Sequence, residues 1–181
     1  MTAFVALLRG VNVGKAKRVP MGAFRAVLTQ LGYEDVATLL NSGNAVFRAH
    51  RGAPAAHAAA IASALRHDLD FEVPVVVVSM NGLATAVAEC PFATEATDPS
   101  RLLVAFAQDR EALSSLASLA TLVAGREKFA LGSQAAYLWC PEGILESRAA
   151  KTLLGKAGRP VTTRNWSTVL KLSELARDRA E

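Results

Sequence analysis

Residues Val36 to Phe47 read VATLLNSGNAVF, an apolar run, a polar turn and a second apolar run. Asn41-Ser42-Gly43-Asn44 carries the residue types that reverse a chain tightly, so the stretch predicts a β-hairpin. Working backwards, Met21, Phe24, Val27, Leu28 and Leu31 fall at helical spacing and Gly32 supplies a stop. Before that helix, Ala3 to Leu8 (AFVALL) is short and apolar without alternation, the pattern of a buried strand. Working forwards, Ala55 to Leu69 is an alanine-rich helix and Pro74 to Ser79 a β-branched strand. Asn81 then caps a short helix that runs to Ala88.

That order, β-α-β-β-α-β with a trailing helix, occurs a second time. Leu102 to Ala107 is a strand, and Asp109 caps a helix predicted to run to about Leu122. Lys128 to Leu131 and Ala135 to Cys140 form a hairpin about Gly132-Ser133. Ser147 to Leu154 is a helix, Pro160 to Thr163 a short strand and Trp166 to Ala176 a closing helix. The repeat is one of element order, not of residues. It predicts an α+β protein of tandem ferredoxin-like plaits, with halves 1–90 and 100–181 and a boundary between Pro91 and Pro99. Helices are expected on one face of each antiparallel sheet, with the two outer strands of each unit side by side at the sheet centre.

The chain has 181 residues, half of them apolar and a fifth charged, as in a folded globular protein. Net charge is only +4, but the cations cluster. Arg9, Lys15, Lys17, Arg18 and Arg25 precede the first acid, Glu34, and Arg148, Lys151, Lys156, Arg159, Arg164 and Lys171 lie between Glu146 and Glu174. These stretches either converge on one positive face or form two solvated ones. Cys90 and Cys140 show no CxxC spacing, which suits reduced thiols in a cytoplasmic protein. No segment has the length and apolarity of a membrane span.

Three segments are candidates for binding an anion. In ALLRGVNVGKAKRVPM, Arg9, Gly10, Asn12, Gly14 and Lys15 combine backbone access, a side-chain amide and positive charge, with Lys17 and Arg18 beyond. The pattern is neither a Walker A loop nor G-x-G-x-x-G, and a solvated turn is the competing reading. In TTRNWSTV, Thr163, Arg164, Asn165 and Trp166 offer a forked cation, an amide and an indole where a strand meets a helix. The competing reading there is a helix cap and a core tryptophan. Ser42 and Asn44 of the hairpin turn complete the set. All three segments are expected to converge at one end of the molecule.

The catalytic inventory is thin. His50, His57 and His67 lack metal-ligand spacing, neither cysteine sits in a nucleophile signature, and Glu142, Glu146 and Ser147 are the only catalytic groups worth testing. No metal is expected, and no cofactor or oligomeric state is implied.

The motifs ALLRGVNVGKAKRVPM, LGYEDVATLLNSGNAVF, CPF, EKFALGSQAAYLWCPEGILES and VTTRNWSTVLKL together resemble the bacterial family catalogued as domain of unknown function sixteen ninety-seven. The resemblance spans Ala6 to Leu172. It implies a two-plait α+β fold and a cytoplasmic protein, and it assigns no reaction. Lys15 stands where the family pattern has a second glycine, and Leu40-Asn41 where it has isoleucine-glutamine.

Three function classes follow. The leading one is a binding module for a phosphate-bearing ligand, nucleic acid or nucleotide. The alternatives are an enzyme acting on a small anionic metabolite and an interaction protein without chemistry. Phe47, Tyr137 and Trp139 are the strand aromatics that a plait would need for stacking bases.

Overall fold

The computed structural model describes residues 1–155, Gly158 and 160–179. Lys156 and Arg159 of the second basic stretch lie outside the described residues. Among those described, the chain forms eight strands and six α-helices, and it divides into two compact units, Met1–Asn81 with Leu172–Glu181, and Gly82–Lys171.

The first unit holds β1 (Thr2–Leu8), α1 (Met21–Gln30), β2 (Glu34–Leu39), β3 (Asn44–Ala49), α2 (Pro54–Leu69) and β4 (Val75–Ser79). The strands form one antiparallel sheet in the order β2-β3-β1-β4, with Phe4 opposite Phe47 and Ala6 between Ala45 and Val77. The predicted outer strands are adjacent, but the central pair is β1 and β3, and β4 lies at an edge. A four-stranded sheet with β1 joined to both β3 and β4 leaves the interior to the strands with two partners each.

Phe4, Ala6, Leu8, Ala45, Phe47 and Val77 build a core with Phe24, Val27 and Leu28 of α1 and Ala58, Ile61 and Leu65 of α2. The three α1 side chains alone contribute about 1.5–3 kcal/mol each through burial. Val5, Leu7 and Val46, which point to the other face, are fully buried as well. The sheet is thus covered on both faces, which is why β1 shows no polar alternation.

Helix α1 ends where sequence placed its stop. Gly32 has φ +79, its amide donates to Thr29, and the Tyr33 amide donates to Leu28, a Schellman closure.

The second unit repeats the arrangement with β5 (Leu102–Ala107), α4 (Arg110–Ser115), β6 (Lys128–Leu131), β7 (Ala135–Trp139), α5 (Arg148–Leu154) and β8 (Val161–Asn165), ordered β6-β7-β5-β8. Most of α3 (Met80–Ala88) belongs to this unit, where the Tyr137 hydroxyl donates to the Ala86 carbonyl at 2.6 Å. Helix α6 (Trp166–Asp178) starts here and ends in the first unit.

The helix predicted from Asp109 to about Leu122 is instead α4 followed by a 3-10 segment, Leu116–Thr121. Asp109 caps it as expected, accepting from the Ala112 amide at 2.8 Å. The hydroxyls of Ser115, Ser118 and Thr121 each donate to the carbonyl three residues earlier. Such back-bonding competes with the α-helical ladder and favours the tighter turn.

Candidate functional site

The opening loop leaves the first sheet between two neighbours. The Leu8 amide donates to Gly43 of the hairpin turn at 2.8 Å, and the Arg9 amide donates to Pro74 before β4 at 2.9 Å. Val11 and Val19 are buried at the two ends of the loop, while Val13 to Arg18 is exposed.

Asn12 ties those ends together. Its Nδ2 donates to Val19 O at 2.9 Å and to Asn41 O at 2.6 Å, and its Oδ1 accepts from the Val19 amide at 2.8 Å. Asn12 sits at φ +55, a region asparagine tolerates better than most residues, and its own amide donates to Lys17 O. Both hydrogens of its side-chain amide are therefore spent on loop geometry.

What the loop leaves over is polar and positive. The chain turns at Gly14-Lys15, and Lys15, Lys17 and Arg18 are exposed along it. Gly14 has φ +65 with open space around its Cα, so the backbone is approachable there. Lys15 has no left-handed backbone, so a side chain is carried there without strain.

The hairpin turn is brought against this loop. Asn44 is wholly buried, and its Nδ2 donates to Leu39 O and Ser42 Oγ, both at 2.9 Å. Gly43 has φ +83, and a Cβ there would lie 2.6 Å from Leu8 Cβ and 2.9 Å from Val11 Cγ2. Gly10 to Lys15 and Ser42 to Asn44 thus form one construction at the end of β1, with Asn12, Ser42 and Asn44 as its internal ties.

Thr163, Arg164, Asn165 and Trp166 belong to the second unit. Asn165 Oδ1 accepts from the Thr168 amide at 2.9 Å and caps α6, and Trp166 is buried. Arg164 is also buried. Its Nη1 donates to Thr162 Oγ1 at 2.8 Å and to Thr163 O at 2.9 Å, and burial lowers its pKa to about 10. Thr163 Oγ1 is buried without a hydrogen-bond partner.

The strand aromatics do not form a stacking platform. Phe47, Tyr137 and Trp139 are all buried. Of the catalytic candidates, Glu142 pairs with Arg126 at 3.2 Å in solvent and Ser147 caps α5 through the Ala150 amide. Cys90 and Cys140 are free and buried, with burial raising both thiol pKa values. No cluster of three metal-ligating side chains occurs among the described residues, and no helix among them is long and apolar enough to cross a membrane.

One polar cluster has no counterpart among the sequence candidates. His57 is buried against Phe4, Tyr33 and Phe47, with ring centroids 4.6, 5.2 and 5.7 Å away. Its Nδ1 meets the Tyr33 hydroxyl at 2.9 Å, and Nε2 lies against the Gly52 backbone. Burial lowers the His57 pKa, outweighing the opposing effect of the Gly52 backbone. The signal was present: His57, Ile61 and Leu65 recur every four residues and share the buried face of α2.

The fold has a solved counterpart in a conserved bacterial protein from Streptococcus pneumoniae. It is 24% identical, matches 97% of this chain and 98% of its own, and superposes with a TM-score of 0.75. No functionally curated protein matches the sequence. A family profile described as "Protein of unknown function (DUF1697)" matches residues 1–137, so the chain belongs to that family.

Proposed function

We propose that the chain is a binding module for a phosphate-bearing ligand, held at the loop from Arg9 to Arg18. One observation carries this reading. The loop is fixed by Val11, Val19 and Asn12, and along this anchored segment it holds Lys15, Lys17 and Arg18 exposed. Clustered cations on a shaped loop suit an anion, and fixed geometry reduces the ordering cost that makes isolated surface lysines weak binders. Gly10 and Gly14 keep the approach open, while Ser42 and Asn44 hold the hairpin against which the loop rests.

Each half is a ferredoxin-like plait in this reading, supported by the repeated strand order β4-β1-β3-β2 and β8-β5-β7-β6. A cytoplasmic setting fits the two buried free thiols. In the second half Arg164 serves the strand-to-helix junction, supported by its bonds to Thr162 and Thr163.

The test is thermal unfolding of the full chain with pyrophosphate, nucleotides and short oligoribonucleotides. A ligand at about 100 times its Kd adds about 2.7 kcal/mol. For a chain of this length that raises Tm by about 5–11 °C. The shift is expected for the native chain and is lost when Lys15, Lys17 and Arg18 are all replaced by alanine. Absence of any shift across the ligands leaves the interaction-protein reading in its place.

A further inference from the structure

We infer that the loop reads a chain of phosphates and not a base: its ligand class is an oligophosphate or phosphodiester backbone, bound without regard to the nucleobase. This inference rests on the phosphate reading above and narrows it.

The first observation concerns rings. Stacking on aromatic side chains supplies much of the affinity and most of the base contact in single-strand recognition. This protein has seven phenylalanines, two tyrosines and two tryptophans. All of them are buried or half-buried. Tyr33 is half-buried but stacks on Phe47 at 4.3 Å, with its hydroxyl engaged by His57. Phe71 and Phe129 pack against the cores of their units. No aromatic residue occurs between Phe4 and Phe24, the stretch that contains the loop. A base delivered to Lys15 finds no ring in the loop or in the hairpin turn beside it.

The second observation concerns charge. Neither the loop nor the turn contains an aspartate or glutamate, and the first acid of the chain is Glu34. Nucleoside triphosphates travel as magnesium complexes, and sites for them place a carboxylate or hydroxyl near the metal. Here neutralisation falls to Lys15, Lys17 and Arg18, which compete with magnesium for the same oxygens. The three cations fall within four residues of the loop, and all are exposed. Such an array suits successive phosphates better than one phosphate and a ring.

The test is fluorescence anisotropy on the full chain. The competitors are linear polyphosphate, an abasic deoxyribose-phosphate oligomer and single-stranded oligonucleotides of matched charge. The abasic oligomer is expected to bind within about threefold of the base-bearing ones. Magnesium should weaken every complex. Lys15→Ala and Lys17→Ala should each reduce the salt slope of log K by about 0.7, the loss of one phosphate contact on a single strand. Equal binding of polyphosphate and the abasic oligomer identifies the phosphate chain alone as the determinant. Preference for either one assigns the inorganic or the sugar-phosphate source, and both support the inference. If base-bearing strands bind more than tenfold tighter than the abasic oligomer, the inference is overturned while the phosphate reading stands. If nothing binds, both fall. Far-ultraviolet circular dichroism and Tm of the variants separate lost binding from lost folding.

Discussion

Replacing Gly43 with alanine tests whether the hairpin turn and the opening loop form one packed construction. Gly43 lies at φ +83, where an L-residue costs about 1–2 kcal/mol. Its new Cβ would also stand 2.6 Å from Leu8 Cβ and 2.9 Å from Val11 Cγ2, distances that real Cβ atoms do not adopt. Neither neighbour yields easily: Leu8 Cβ is fixed to the β1 backbone, and Val11 is buried. Overpacking of this kind adds about 1–3 kcal/mol. The expected total is about 2–5 kcal/mol, or a Tm lowered by about 4–20 °C in a chain of this length. Gly14→Ala is the control, because it has φ +65 and open space, and so carries only the backbone cost. Thermal unfolding of both variants, followed by far-ultraviolet circular dichroism, gives the comparison. Equal losses for the two would refute the packing argument, since only the contacts with Leu8 and Val11 distinguish them.

Other expectations follow from single contacts. Asn12→Asp should destabilise more than Asn12→Ala, because a carboxylate would face the carbonyls of Val19 and Asn41 instead of donating to them; denaturant midpoints give the order. Tyr137→Phe leaves the Ala86 carbonyl without its donor and should cost about 1–3 kcal/mol, read as a shift in urea midpoint. For His57 the folded pKa lies below the ordinary 6.5. Above pH 6.5 both states are neutral and stability does not depend on it. As pH falls from 6.5 through the folded pKa, the unfolded chain takes up the proton first and stability declines, a slope that His57→Gln should flatten. Glu89 accepts from the Ser133 hydroxyl at 2.6 Å and amide at 2.8 Å, and these bonds hold its pKa below 4.5. Its contribution is present above pH 4.5 and lost as pH falls through the folded value, so Glu89→Gln should reduce the acid sensitivity of unfolding in that range.

The elements were legible wherever local pattern and tertiary role coincide. Leu102–Ala107 and Lys128–Leu131 are strands over the predicted residues, because apolar runs bounded by turn signals leave little choice of ends. Gly32 and Asp109 act as the helix signals they resemble. The misread cases depend on groups distant in sequence or on side-chain chemistry that spacing does not reveal. The 3-10 segment after Ser115 arises from hydroxyls bonding back to carbonyls, while helical periodicity continues through it. Burial on both sheet faces was implicit in AFVALL, but a ferredoxin-like order suggested one covered face. Asn12 was legible as a polar loop residue. That both of its side-chain donors are consumed within the protein depends on Asn41, distant in sequence and beside it in space. Arg164 was legible as a cation, but its burial depends on the register that sets it opposite Val104.

The division of the chain has a consequence for how it is made. The first unit includes the segment that begins at Leu172, and the 90 residues Gly82–Lys171 of the second unit lie between. At ribosomal rates of about 5–20 residues per second, those intervening residues take about 5–18 seconds to emerge. The first sheet, with its hairpin and helices, is synthesised before the segment from Leu172 that belongs to the same unit. During that interval the nascent chain presents an unfinished unit to chaperones and to neighbouring ribosomes. A codon change that slows translation of Gly82–Lys171 would lengthen the exposure without altering one residue of the protein.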